Sequence, residues 1–265
     1  MDTLSIILSF VFGAAIGSFL NVVSLRFNTG ATLGGRSKCM SCSKQLSWFE
    51  LVPVFSFAAQ KGKCRGCSAK ISWQYPLVEF IAGAIFVLII YAFPPLTIAA
   101  AFKTFIYLAV TCLLLVIAAY DIKHKIIPDP FVYAFIGISL ASLFVGGHEW
   151  FRLPGYSAIL AGPALALPFA LIWLFSKGAW MGLGDAKLVL GIGWLLGLNR
   201  GLNALILAFW IAAFFSVLWL FVTYRRFKPR TEIPFAPYLI IGMYLVLIFG
   251  LQVLDINILR QILFG

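Results

Sequence analysis

Two aspartates stand where side-chain chemistry could take place. Asp121 follows the apolar run LLLVIAAY, and Asp185 lies in WMGLGDAKL, just before another apolar run. Two carboxylates that come within a few ångströms share one proton near neutral pH, because like charges repel each other. The ionised carboxylate can then take a proton from water, and the protonated one can give its proton to a departing amine. The pair therefore predicts aspartic hydrolysis of a peptide bond.

The setting of each aspartate also allows a structural explanation. Asp185 begins a predicted helix, where a carboxylate often caps free N–H groups. Asp121 ends a predicted helix, where the dipole disfavours a negative charge, so capping does not explain it. Gly182 and Gly184 lack the side chains that would hold an extended peptide away from Asp185, or they simply loosen a loop.

Four cysteines form two Cys-x-x-Cys pairs, separated by 21 residues: Cys39, Cys42, Cys64 and Cys67. Two such pairs can hold one tetrahedral Zn²⁺, which replaces the core that a short polar segment lacks. Seven nearby Lys and Arg residues would offset the negative charge of four thiolates around zinc. Two disulfides are the alternative, disfavoured on the reducing side of a membrane. Cys112, alone in an apolar run, is interpreted as a core residue.

The composition is that of a membrane protein. Hydrophobic residues make up 62% of the 265 and charged residues 11%, against about 25% charged in a soluble domain. We expect an all-α polytopic membrane protein of about eight transmembrane helices, with a small zinc-ribbon-like cytoplasmic domain between the first two. The spans are predicted near 4–25, 76–93, 98–120, 131–146, 157–176, 186–198, 203–222 and 235–254. The spans 131–146 and 186–198 are shorter than a full crossing.

Three domains follow from this pattern: an anchor at 1–25, a cytoplasmic tetracysteine zinc domain at 26–75 and a helical bundle at 76–265. No Lys or Arg precedes the first span, which is therefore expected to be an anchor and not a signal peptide. Sixteen of the twenty Lys and Arg residues are predicted on one side of the membrane, so this side is assigned to the cytoplasm and both termini to the outside. The net charge of +11 suits anionic lipid headgroups, and no nucleic-acid motif accompanies it.

Several other polar or small residues lie in the predicted spans. Gly13 and Gly17 share one helix face and predict close helix packing, while Asn21 is expected to bond to a neighbouring helix or to loop backbone. Glu79 is interpreted as an interfacial residue, a partner for the basic loop or a residue near the active site. Asp129, just before a proline, is expected to cap the fourth span.

The ordered motifs of the chain resemble those of one known family. GSFLNVVSLRF lies in the first span; both Cys-x-x-Cys pairs follow, with WFELVPVFS between them and ISWQYPLVE after them; then come DIKHKIIPD, GLGDAKL and PFAPYL. Over nearly its whole length the chain resembles the type 4 prepilin peptidases. The G-x-G-D element is also similar to that of other intramembrane aspartic proteases such as presenilins, but the cysteine loop is not.

The resemblance implies that the protein cuts the basic leader of type IV prepilins and type II secretion pseudopilins after a glycine. The cut is expected at the cytoplasmic face of the bacterial inner membrane. Many members then methylate the new N-terminal residue with S-adenosylmethionine. Carried over by motif, Asp121 and Asp185 are the catalytic residues, and the four paired cysteines are the zinc-type ligands.

Two features limit the comparison. PFAPYL has Ala236 where glycine is usual, and we expect the alanine to be tolerated. No glycine-rich dinucleotide motif is present, so no residue is assigned to the S-adenosylmethionine site, which family analogy places in or near 26–75.

Three function classes follow: a membrane peptidase with an attached methyltransferase, an ion-coupled transporter whose aspartates relay protons, and a zinc-organised scaffold. A transporter is expected to carry acids near mid-membrane and repeat symmetry, whereas here the two acids lie at one face. His124 and His148 are predicted on opposite sides of the membrane, which leaves no Ser/His or Cys/His pair. The peptidase is the favoured class.

Overall fold

The computed structural model describes residues 2–30, 32, 34–145, 153–223 and 233–255. Within these residues the chain forms nine α-helices and no β-strand, which confirms the expected all-α class. The helices are α1 (Thr3–Arg26), α2 (Phe55–Ala59), α3 (Gln74–Ala92), α4 (Ile98–His124), α5 (Asp129–Ser142), α6 (Tyr156–Ser176), α7 (Leu183–Leu196), α8 (Leu198–Thr223) and α9 (Ala236–Phe249).

Five of the described helices are long and apolar enough to cross a membrane: α1, α3, α4, α6 and α8. The helices α5, α7 and α9 have 14 residues each, or about 21 Å at helical rise, which is less than the thickness of the hydrocarbon core. Two short spans were expected from the sequence, and α9 is a third. It was predicted to run to residue 254 but ends at Phe249, because Gly250 adopts the left-handed conformation with φ of 64°.

The chain divides into two compact units, and the first is Met1–Ala119. Here α1 packs closely against α3, as the paired glycines predicted. A Cβ atom at Gly13 would lie 2.7 Å from Cβ of Phe86, and one at Gly17 would lie 2.8 Å from Cβ of Ala82. Both distances are shorter than any ordinary carbon contact, so this helix pair depends on glycine.

Between α1 and α3 lies the cysteine segment, by which we mean residues 26–75. It contains a 3-10 turn at Trp48–Glu50 and the short helix α2. The buried Glu50 side chain accepts the Ser47 N–H at 2.9 Å and pairs with Lys44 at 3.2 Å. These polar contacts order a stretch that has few buried apolar side chains.

The second unit is Tyr120–Gly265, and α7 lies at its centre. This helix contacts α5, α6, α8 and α9. Glycines make the contacts possible: a Cβ atom at Gly193 would lie 2.7 Å from Cα of Gly162, and one at Gly191 would overlap the ring of Phe135. The short α7 is therefore held on several sides by four other helices, which fixes the residues at its start.

Candidate active site and metal site

Asp121 lies in the last turn of α4 and is only 5% exposed. Its Oδ2 accepts the backbone N–H of Ala236 at 3.2 Å. Ala236 is the first residue of α9, and the first N–H groups of a helix have no partner within it. The carboxylate of Asp121 lies at the C-terminal end of α4, where the helix dipole disfavours a negative charge. It also meets the N-terminal end of α9, where the dipole stabilises a negative charge.

Asp185 lies in the first turn of α7 and is half-buried. Its backbone N–H donates to Gly182 C=O at 3.3 Å, and the charge of Asp121 acts on its carboxylate. The structure therefore brings the two acids singled out by the sequence into one electrostatically coupled site within the second unit.

The two glycines of GLGD have different surroundings. A Cβ atom at Gly184 would lie 2.8 Å from Cβ of Ile127, a residue of the connection between α4 and α5. A Cβ atom at Gly182 would meet only Oδ2 of Asp185 at 3.7 Å and the N atom of Gly184 at 3.9 Å, both ordinary contacts. Gly184 is therefore explained by protein packing, whereas no atom of the described residues requires a glycine at position 182.

Asp129 does not cap α5 with its side chain, contrary to the expectation from the sequence. Its Oδ1 instead accepts a hydrogen bond from Nζ of Lys187 at 2.6 Å. The same ammonium group lies 4.7 Å from the centre of the Tyr133 ring. Because Lys187 is only two residues beyond Asp185, this ion pair ties the start of α5 to the start of α7.

The four paired cysteines of the cysteine segment come together as the sequence predicted. Their Sγ atoms all lie within 4.8 Å of one another, and those of Cys39 and Cys67 are 3.8 Å apart. Four sulfurs bound to Zn²⁺ at about 2.3 Å in a tetrahedron would be about 3.8 Å apart. All four are free thiols in the structure, and the arrangement suits a tetrahedral metal ion.

The two Cys-x-x-Cys pairs fold alike. Cys39 N–H donates to Lys44 C=O at 2.9 Å, and 25 residues later Cys64 N–H donates to Ala69 C=O at 2.9 Å. Each turn closes with a positive-φ serine, at 57° for the first and 59° for the second. Backbone N–H groups of Cys42 and Ser41 turn toward the first thiol and lower the pKa of Cys39 to about 6. Lowered thiol pKa values favour the thiolate that binds a metal.

Other polar contacts occur where α1 meets α3. Asn21 is fully buried, and its Nδ2 donates to Tyr75 C=O at 3.1 Å, which confirms the predicted bond to a neighbouring element. Its Oδ1 and the Nε2 of Gln74 are buried and have no hydrogen-bond partner among the residues that the structure describes. Glu79 contacts the cysteine segment, but through the backbone N–H of Val54 at 2.7 Å and not through a basic side chain.

Two protein-family models match the chain. The bacterial peptidase A24 N-terminal domain matches residues 11–93, and the type IV leader peptidase family matches residues 108–217. A prepilin leader peptidase/N-methyltransferase of Klebsiella pneumoniae is 31% identical, over 75% of this chain and 88% of the relative. The chain belongs to the type IV leader peptidase family. No solved structure matches it.

More distant members of this family match almost from end to end. A prepilin leader peptidase/N-methyltransferase of Xanthomonas campestris pv. campestris is 28% identical, over 92% of this chain and 91% of the relative. One of Bacillus subtilis is also 28% identical, over 94% of this chain and 96% of the relative. Together with the apolar helices, this makes the chain a multi-pass membrane protein and an enzyme of the peptidase class.

Proposed function

We propose that this protein cleaves the leader peptide of type IV prepilins and type II secretion pseudopilins after a glycine, and N-methylates the new N-terminal residue. The observation that carries the cleavage is the coupled pair of carboxylates, Asp121 and Asp185, in a chain of the leader peptidase family. Family membership favours this function over the ion-coupled transporter that a pair of membrane acids also allowed.

The two aspartates divide the proton transfers between them. One carboxylate is ionised and removes a proton from a water molecule as its oxygen attacks the carbonyl carbon of the scissile peptide. The other is protonated and delivers its proton to the nitrogen as the C–N bond breaks. The products are a leader with a free carboxylate and a pilin with a free amine, and the pair again shares one proton.

The surroundings of Asp185 suit an extended peptide. Gly182 is exposed and presents no side chain beside the Asp185 carboxylate. A substrate backbone can therefore approach on this side, where a larger residue would intervene. Gly184 serves the packing against Ile127, which holds the start of α7 in place.

We propose that the metal held by the cysteine segment is Zn²⁺, with Cys39, Cys42, Cys64 and Cys67 as its four ligands. The sulfur spacing and the two similar turns support a closed tetrahedral site without an open position. The role is therefore structural: the ion links residues 39–42 to residues 64–67 in a segment with little apolar core.

S-adenosylmethionine, when bound, would supply the methyl group. The bond between this methyl group and sulfur would break as the bond to the pilin amine forms. The sulfur would keep the electron pair, and the amine proton would pass to water. Two unpartnered polar atoms in the first unit suit such a ligand, namely Oδ1 of Asn21 and Nε2 of Gln74. Asn21 and Gln74 would contact its polar groups. Gln74 lies at the end of the cysteine segment, and Asn21 donates to Tyr75, the last residue of that segment.

We further propose that the protein resides in the bacterial inner membrane with the cysteine segment in the cytoplasm and both termini outside. The basic residues of this segment would face anionic lipid headgroups. The division into an anchor at 1–25, a zinc domain at 26–75 and a peptidase bundle at 76–265 remains our interpretation. A reporter that is active only outside the cytoplasm tests the topology when it is fused to the C-terminus.

The test of cleavage is the detergent-purified protein incubated with a prepilin. Asp121→Ala and Asp185→Ala should each abolish detectable cleavage while the circular dichroism of the helices is unchanged. Asp2→Ala is the control for loss of an acid, because Asp2 is exposed just before α1 and lies in the other unit. Cleavage by either active-site variant at the wild-type rate would rule out the proposed pair.

A further inference from the structure

Glu79 is a carboxylate that the cleavage mechanism does not use. It lies in α3, one turn after Tyr75, and is only 7% exposed. Its Oε2 accepts the backbone N–H of Val54 at 2.7 Å. Gly17 lets α1 approach Glu79 closely, since a Cβ atom there would lie 2.9 Å from Cα of Glu79. Burying a carboxylate in an apolar helix costs free energy, so the groups that contact Glu79 indicate its role.

The partner of Glu79 has an unusual backbone. Val54 has φ of 62° and ψ of −48°, and the Phe55 N–H donates to Pro53 C=O at 2.6 Å across it. This is the positive-φ form of the γ-turn, which is rare and strained. A β-branched residue is especially unfavourable at positive φ, and such a conformation persists only where the surroundings hold it. Glu79 provides that hold by accepting the N–H of Val54.

The turn at Val54 directs the middle of the cysteine segment. It follows the 3-10 turn Trp48–Glu50 and precedes α2, so it sets the direction in which the chain leaves the surface of α3. Trp48 and Phe55, on either side of it, are both largely exposed. The Glu79–Val54 hydrogen bond therefore attaches this stretch to the membrane helices at one point.

We propose that Glu79 is a positioning residue for methyl transfer, which acts by holding Val54 in its turn and so fixing the cysteine segment next to α1 and α3. This inference rests on the proposed function. Both partners lie in the first unit, with the unpartnered atoms of Asn21 and Gln74, whereas both aspartates lie in the second. We therefore assign the hydrogen bond between Glu79 and Val54 to methyl transfer and not to cleavage.

The role predicts a specific pattern among variants. Glu79→Ala leaves cleavage within about threefold of wild type but lowers methylation by about tenfold or more. Glu79→Gln retains most methylation, because its amide oxygen still accepts the Val54 N–H. Val54→Gly added to Glu79→Ala restores methylation in part, since glycine adopts positive φ without strain. Val52→Gly, the matched control, does not, because Val52 has no positive φ.

The assay keeps the two reactions apart. Purified full-length protein is given a prepilin to measure cleavage and, separately, a pilin peptide with a free N-terminus as methyl acceptor, both followed by mass spectrometry. Hydrogen–deuterium exchange over residues 51–57 supplies a readout that needs no substrate. Exchange there should be faster in Glu79→Ala and slow again once Val54→Gly is added.

Several results would overturn the inference. They are equal losses of cleavage and methylation in Glu79→Ala, a Glu79→Gln variant as impaired as Glu79→Ala, or rescue by Val52→Gly as strong as by Val54→Gly. An unchanged rate of hydrogen–deuterium exchange over residues 51–57 in Glu79→Ala would also overturn it. Failure of the wild-type protein to cut any prepilin would instead refute the proposed function. Hydrogen–deuterium exchange over residues 51–57 would still test the Glu79–Val54 contact in that case.

Discussion

Gly184→Ala is the substitution whose effect follows most directly from the geometry of the site. The added methyl group would lie 2.8 Å from Cβ of Ile127, whereas carbon atoms in contact are about 3.5–4.0 Å apart. The start of α7 and the connection before α5 must therefore separate by about 1 Å. Asp185 follows Gly184 directly and moves with it. A displacement of about 1 Å can cost about 10²-fold in rate, or about 2.7 kcal/mol of barrier.

The effect on stability should be much smaller than the effect on rate. Overpacking costs about 1–3 kcal/mol, but alanine is more favourable than glycine within a helix by up to about 1 kcal/mol. The net destabilisation is then about 0–2 kcal/mol, which leaves the protein folded in the assay. We therefore expect kcat for prepilin cleavage to fall about 100-fold with a melting temperature near that of wild type.

Gly182→Ala is the matched control, because within the described part of the chain its methyl group meets no atom closer than 3.7 Å. It should leave the melting temperature and kcat near wild type and raise KM, since the methyl group occupies the side on which the substrate is proposed to approach. A Gly184→Ala variant with wild-type kcat would show that the Ile127 contact does not position Asp185. A Gly182→Ala variant with lower kcat and unchanged KM would argue against a substrate at that side.

Three further predictions concern the surroundings of the two sites. Metal analysis of protein purified without chelators should find about one zinc per chain, and Cys39→Ser should lose it. The N–H of Ser47, and then a neighbouring lysine, hold the pKa of Glu50 below its ordinary value of 4.5. Its contribution to stability is present above pH 4.5 and lost as the pH falls through the lower folded pKa, so Glu50→Gln should flatten the loss of thermal stability in acid. Lys187→Met breaks the ion pair with Asp129. It should lower the free energy of unfolding by only about 0.5–1 kcal/mol, because Asp129 is 61% exposed. A double-mutant cycle with Asp129→Asn measures the coupling energy of the pair.

The sequence predicted the parts of this protein that depend on patterns of side chains. Long apolar runs identified the crossing helices, because a bilayer demands about 20 apolar residues whatever the tertiary contacts. Gly13 and Gly17 predicted the tight α1–α3 pair, and two Cys-x-x-Cys elements predicted the sulfur cluster. The similar depth assigned to Asp121 and Asp185 predicted that they could share a proton; this sharing and their catalytic role stay predictions.

Backbone groups account for most of what the sequence did not reveal. Ala236 was noticed only as a departure from a family motif, yet its N–H is the donor to Asp121. Val54 has no feature in the sequence that predicts a positive φ, because valine normally avoids it. The early end of α9 depends on Gly250, one glycine among 23, whose left-handed conformation is set by the chain that follows.

The placement of the two aspartates explains how a membrane protein tolerates them close together. Each carboxylate meets the start of a short helix, where N–H groups lack partners: Asp121 meets α9 through Ala236, and Asp185 lies in the first turn of α7. These fixed donors stabilise negative charge. A neighbouring cation would instead hold both acids ionised and remove the shared proton. Lys187, two residues after Asp185, is paired with Asp129. If the two acids act as we propose, the site retains one proton between them, and aspartic hydrolysis requires that proton.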